Sequence, residues 1–171
     1  MDAPRETENL EFKEAKTQFD TTKLFRYCVA LANERGGKLV LGVTNKIPRQ
    51  VVGTNAFENP GDIQQKILNK LHFLVKVEAL SHPNGRVVIF HVPSRHRGTA
   101  CHLEGAYWMR SGEELIPMTA ERLREIFDEG NPEWFRRTAL DNCSASDVIR
   151  LLDTQIYYDR QNLSHKSGCR S

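Results

Sequence analysis

The sequence predicts a mixed α+β domain, a mostly antiparallel central sheet with flanking helices. Three observations point there: short runs with apolar residues at alternate positions, longer stretches with apolar spacing of three and four, and capping or turn residues between them. Leu10 and Phe12 alternate with Glu11 and Lys13 in "NLEFKEA", the pattern of a half-buried strand with its apolar side inward. Asp20 then offers a helix cap, and Leu24, Tyr27, Cys28, Leu31 and Ala32 make an apolar stripe over 20–34 that stops at Gly36 and Gly37. "KLVLGV" reads as a buried strand, and "VVG" after "TNKIPRQ" as another. Asn59-Pro60 opens a helix over 60–72 carrying Ile63, Ile67, Leu68 and Leu71. "LVKVEAL" and "RVVIFHV" flank Asn84-Gly85 as an antiparallel hairpin. "PSRHRGTA" is a basic loop, "YWMRSG" and "ELIPM" are short strands, and Thr119 caps a helix over 119–128 carrying Leu123, Ile126 and Phe127. The expected sheet has about six strands. The compact domain should span 1–130, with 131–171 as a helical extension capped at Ser144 or Ser146 and ending in a polar, patternless tail.

Composition excludes more than it selects. Lys and Arg number 24 against 22 acids in 171 residues, so a net +2 does not mark a nucleic-acid binder by bulk charge. Local clustering has to decide. Cys28, Cys101, Cys143 and Cys169 are widely spaced with no C-x-x-C, which fits reduced thiols and no disulfide framework. With no apolar run long enough to cross a bilayer and no apolar leader, a cytoplasmic protein without membrane contact is expected.

The distinctive motifs are E-x-x-x-x-E-F-K at Glu6, Glu11, Phe12 and Lys13, "ALANERGGKLVLGV" from Ala30 to Val43, the "VVG" run, and Tyr107-Trp108-Met109-Arg110-Ser111-Gly112. The acids read either as a solvated strand edge or as a metal-binding acidic site. In this order the set resembles the Schlafen-type AlbA-like (divergent Alba) family across roughly residues 6 to 128. The resemblance implies nucleic-acid contact, and in Schlafen members a divalent-metal-dependent endoribonuclease acting on structured RNA such as transfer RNA. Those members hold Mg²⁺ or Mn²⁺ with two glutamates five residues apart and an aspartate after the "GV" strand. Glu6 and Glu11 match the glutamates, whereas the third ligand position is Asn45. The implied catalytic group is therefore Glu6, Glu11, Asn45 and Lys13, with Glu6, Glu11 and Asn45 as the metal ligands.

Asn45 supplies only a neutral carbonyl oxygen, and hard divalent cations need carboxylates, so the sequence leaves open whether the chain is an enzyme. Five is also an odd step along a strand, so both glutamates converge only if Glu6 lies in an irregular lead-in. Lys13, Lys16, Lys46, Arg49, Arg95, Arg97 and Arg110 fall at strand ends or loops where they could meet phosphates, and Trp108 is the candidate for stacking on a base. Cys101-His102 with His91 and His96 lacks a second paired motif, so no zinc is expected. "ERGGKLVLG" lacks the phosphate-loop order, so ATP has no support in these residues. The expected function is a nucleic-acid-binding domain, for RNA or DNA, of a bacterial-type regulatory or defence protein. The alternative is a non-catalytic DNA-binding regulator or an oligomerisation module. By resemblance to the two-lobed Schlafen core, a homodimer is expected.

Overall fold

A computed structural model describes residues 9–112, 114–131 and 144. The chain divides into two units, Met1–Gly130 and Asn131–Ser171. The helix expected after Ser144 lies outside the described residues.

In chain order the elements are β1 (Leu10–Lys13), α1 (Thr21–Asn33), β2 (Gly37–Leu41), α2 (Pro60–Leu71), β3 (Lys76–His82), β4 (Gly85–Val92), β5 (His102–Leu103), β6 (Ala106–Ser111), β7 (Glu114–Pro117) and α3 (Ala120–Asp128). The α+β class holds, but the strands divide between two sheets. One has the order β1-β2-β4-β3 and the other the order β5-β6-β7. β1 runs parallel to β2, which requires a crossover, and α1 supplies it. The remaining described pairs are antiparallel. "VVG" makes no strand; Val51 forms a single bridge to Val43, closing a tight hairpin over 43–51.

α1 touches both sheets and organises the core. Asp20 caps it by accepting from the Lys23 amide at 2.6 Å, and the chain leaves it through Arg35 and Gly36 at positive φ. Gly36 is required there, because a Cβ would sit 2.8 Å from the Val92 carbonyl. From Tyr27 to Asn33 every residue is buried, so this helix is covered on all sides rather than along one stripe. Leu24, Leu31, Leu39, Leu41, Ile67 and Phe90 fill the main core, each contributing about 1.5–3 kcal/mol by full burial. A smaller cluster of Phe12, Val40, Val43 and Val87 lies on the opposite face of the larger sheet.

α2 begins at Pro60 behind the Asn59 cap, and α3 behind Thr119, as their sequences predict. On α3 only Ile126 is buried; Phe127, expected inward, is 48 % exposed. The β3–β4 turn is Pro83-Asn84, with His82 paired to Gly85, so Gly85 closes the turn instead of occupying it. Its backbone packs on Gly53, where a Cβ on Gly85 would meet the Gly53 Cα at 2.7 Å.

Candidate functional site

β1 reverses the sidedness expected from its sequence. Glu11 pairs in register with Leu39 and Lys13 with Leu41, both core residues, so the charged side chains face α1 while Leu10 and Phe12 join the smaller cluster. Glu11 is 0 % exposed. Such burial demands compensation, because an isolated carboxylate in an apolar interior costs several kcal/mol. Two cations provide it. One Glu11 oxygen accepts from the guanidinium of Arg110 on β6, and the other lies 2.5 Å from Lys13 Nζ. Arg110 also donates to the Gly112 carbonyl at 3.2 Å. The ion pair therefore fastens the edge of one sheet to the middle strand of the other.

Lys13 Nζ also sits 5.7 Å from the Tyr27 ring centre. Burial pulls the Lys13 pKa down, but the hydrogen bond and charge of Glu11 outweigh it and hold the ammonium above its ordinary value. Burial pushes the Tyr27 phenol up, with Lys13 opposing and Glu11 reinforcing. Lys13, Glu11 and Arg110 together carry one positive charge more than negative. Of the three only Lys13 has appreciable solvent access, at 21 % against 0 % and 1 %.

Beyond Lys13 the chain is pinned. The Gly42 amide donates to the Lys13 carbonyl at 2.9 Å, Thr54 Oγ1 to the Ala15 carbonyl at 2.5 Å, and the Asn55 amide to the Lys16 carbonyl at 2.9 Å. Lys16 is 63 % exposed, with Glu14 3.8 Å away. The 43–51 hairpin starts directly after Gly42, so it rises from the same end of the sheet. It carries exposed Lys46 and half-buried Arg49, whose guanidinium stacks 4.3 Å from the Phe12 ring. Cations thus straddle β1, Lys13 on the α1 side and Arg49 on the other.

Two of the predicted phosphate contacts are placed elsewhere. β4 pairs Val92 with Gly37, so the 93–101 loop lies at the end of the sheet opposite the hairpin. There Arg95 is a strut, 3 % exposed, donating to Glu129 Oε1 at 2.8 Å and to the Asn33 carbonyl at 3.3 Å. Arg97 donates to the Glu129 carbonyl at 2.8 Å. Both reach the end of α3; for Arg95, whose side chain is buried, this corrects the reading as a phosphate contact, whereas Arg97 stays exposed. Arg110 is corrected likewise, since its buried guanidinium is directed at Glu11. Trp108 is half-buried against the main core with the Arg26 guanidinium 4.6 Å from its ring centre.

The metal reading meets the same geometry. Glu6 lies outside the described residues. Both Glu11 oxygens face cations, so a divalent ion there would have to displace Lys13 and Arg110. Asn45 Oδ1 is buried without a hydrogen-bond partner among the described residues. Among the described residues no three His, Cys, Asp or Glu side chains converge as a metal site requires. The donors described therefore do not fit a resident Mg²⁺ or Mn²⁺, and no chemical step is derived through one.

Asn33, absent from the sequence-based candidates, is the main polar anchor. Its amide donates to the carbonyls of Cys101 and Trp108, each at 3.0 Å, and its Oδ1 accepts from the Cys101 amide at 2.8 Å. The signal was present, because a polar residue one step past Ala32 extends the buried helix face. Cys28, buried in the same helix, has its thiol pushed up to about 12.

The family model for Schlafen, AlbA_2 matches residues 6–119. The chain belongs to the Schlafen AlbA_2 family. The DIP2311 protein of Corynebacterium diphtheriae, known by crystal structure, superposes on this AlbA_2 chain with a TM-score of 0.56 at 18 % identity, covering 71 % of it. The chain spans 27 % of that protein's length. The N-terminal domain of a RecG-related protein from Nitrosomonas europaea, solved by NMR, aligns at 17 % identity with a TM-score of 0.40, covering 64 % of this chain and 82 % of its own. The first likeness bears on the fold of the AlbA_2 domain alone. No curated protein matches the chain. Among the described residues no helix is long and apolar enough to cross a membrane.

Proposed function

We propose that this AlbA_2 domain binds nucleic acid beside the edge strand β1, contacting phosphates through Lys13, Lys16, Lys46 and Arg49. The observation that carries the reading is the Glu11 clamp. It holds two cations against one carboxylate and leaves only the Lys13 end open to solvent, beside a strand end and a hairpin that add further cations. Membership of the family supports the same reading. Phosphate contacts of this kind give affinity that is steep in salt and poor in sequence information. Catalysis is not part of the proposal, because the Glu11 oxygens already face Arg110 and Lys13.

The test is fluorescence anisotropy of the full chain with a labelled transfer-RNA stem-loop and with duplex DNA, across a salt series and with Mn²⁺ or chelator. Lys16→Glu with Lys46→Glu, both exposed and outside the Glu11 ion pairs, should lower affinity tenfold or more and flatten the slope of log K against log salt by roughly one per lysine reversed. Binding independent of salt, or none, overturns the proposal. Cleavage that requires Mn²⁺ and stops with chelator would replace it with the endoribonuclease reading. A homodimer would give the two-lobed groove that the resemblance implies, and light scattering at tens of micromolar reads it in the same samples.

A further inference from the structure

We infer that the free edge of β3 pairs with the same edge of a second copy of the chain, antiparallel about a two-fold axis through Leu80. The inference stands apart from phosphate binding and supplies a contact for the homodimer. β3 is the outer strand of the β1-β2-β4-β3 sheet, and from Ala79 to His82 every residue is exposed. Alternate residues of an antiparallel strand turn their amide and carbonyl away from the paired neighbour. Val77 sets the parity: although it stands opposite Phe90 of β4, its amide donates to Gln64 Oε1 at 3.1 Å. Ala79 and Ser81 therefore also point their backbone groups outward, and among the described residues no loop or side-chain bond meets them. Edge strands are commonly guarded by a lysine, a proline or a bulge. Between Val77 and His82 this one has none, and at its centre stands Leu80, 44 % exposed. Leu80 lies opposite Val87, so it shares the face of the smaller cluster and carries that apolar surface out to the edge.

The strand's own sequence, read in reverse, supplies each partner in register. With the axis at Leu80, Ala79 faces Ser81 of the second copy, and such a pair exchanges both of its N–H···O bonds, so both outward amides of each strand are met. The next position of this kind would join Val77 to Pro83 of the second copy, where one amide is already held by Gln64 and the other residue has no N–H. The pairing ends where the donors run out. Leu80 meets its own counterpart in a close pair without backbone bonds, with Cβ atoms about 4.5–5.5 Å apart. Glu78 meets His82 of the second copy, whose Nδ1 accepts from the Asn84 amide at 3.1 Å, which leaves the Nε2 proton for the carboxylate. Moving the axis one residue either way sets Leu80 against Glu78 or His82 instead of against itself. The contact is isologous and closes at two copies. It is also smaller than a standard interface, so the dimer should be weak and concentration-dependent.

The experiment is sedimentation equilibrium of the full chain from about 1 to about 200 µM, without nucleic acid. The parent should pass from monomer to dimer across that range and grow no further. Leu80→Lys, at an exposed position, should stay monomeric throughout, because the axis sets two ammonium groups face to face. Ala79→Pro removes one outward N–H per strand without touching the ladder to β4, and should weaken the dimer about tenfold or more. Urea midpoints close to the parent's confirm that both variants fold. On mild oxidation Leu80→Cys should give a disulfide dimer beyond any formed by the parent, and Glu78→Cys should not, which reads the register. A parent that stays monomeric overturns the inference and leaves phosphate binding at β1, on the opposite edge of the sheet, untouched. A dimer that survives both Leu80→Lys and Ala79→Pro, growth past the dimer, or a Glu78→Cys chain that cross-links as readily as Leu80→Cys overturns it too. A monomer that instead binds an added extended peptide at β3 assigns the edge to a foreign strand and likewise overturns the self-pairing.

Discussion

Replacing Arg110 by methionine removes the guanidinium and leaves a carboxylate that is 0 % exposed with Lys13 as its remaining cation. Breaking a buried pair from one side typically costs about 3–5 kcal/mol. Lys13 is partly solvated and stays in place, which offsets about 1 kcal/mol, so Arg110→Met should cost about 3 kcal/mol. Glu11→Met leaves the guanidinium buried beside Lys13 without its carboxylate, and should cost a similar amount, about 3 kcal/mol. The double variant puts two apolar side chains of similar length into one dry space and should lie within about 1 kcal/mol of the parent. A double-mutant cycle would then give a coupling of about 5 kcal/mol. Urea unfolding of the full chain measures it, with a constant m-value as the check that each variant unfolds from the same structure. A cost below about 1 kcal/mol for either single variant, or a double variant as damaged as both singles added, would show that the clamp is not the buried, mutually dependent pair described above.

Two further outcomes follow from the polar anchors. Asn33→Ala strips partners from the Cys101 amide and from two carbonyls, and should cost about 3 kcal/mol in the same urea assay; Asn33→Asp, which presents oxygen to those carbonyls, should cost more, and an Asp variant as stable as the parent would refute the network. Arg95, by its hydrogen bond, holds the Glu129 carboxyl below its ordinary pKa, with burial opposing. A depressed folded-state pKa contributes stability that is present above the unfolded value near pH 4 and is lost as pH falls through the folded one. The parent should therefore exceed Glu129→Gln by up to about 1 kcal/mol at pH 7 and converge with it towards pH 3; a gap that widens on acidification would refute the pairing.

The elements that were legible in the sequence are those whose signals are local. Asp20, the apolar spacing from Leu24 to Ala32 and the paired glycines define α1 within twenty residues, and Asn59-Pro60 and Thr119 do the same for α2 and α3. β1 was legible as a strand but not in its sidedness, because alternation shows that two faces differ without showing which will be covered. Here Arg110, brought by a second sheet, makes the charged face the buried one. For the same reason the basic residues divided as they did. Position in a loop suggested solvent for Arg95, while Glu129, more than thirty residues further on, decided otherwise. The turn was visible in sequence as "TNKIPRQ", yet a single Val43–Val51 bridge and the Thr44–Gln50 bonds close it where a second strand at "VVG" was expected.

The separation of Glu11 and Arg110 along the chain, 99 positions, gives the clamp a history as well as a geometry. During synthesis β1 emerges first, but its carboxylate has no guanidinium until β6 has been made. At about 5–20 residues per second that interval is roughly 5–20 s. Meanwhile Lys13, two positions away, is the cation at hand, so the nascent strand carries a local partner that keeps Glu11 compensated until the distant one arrives. Nearly the whole length of the domain must be present before its first strand is locked, which makes this one contact a report on completion: a chain stopped short of residue 110 would have α1, α2 and the larger sheet's strands in hand, but not the ion pair between the two sheets.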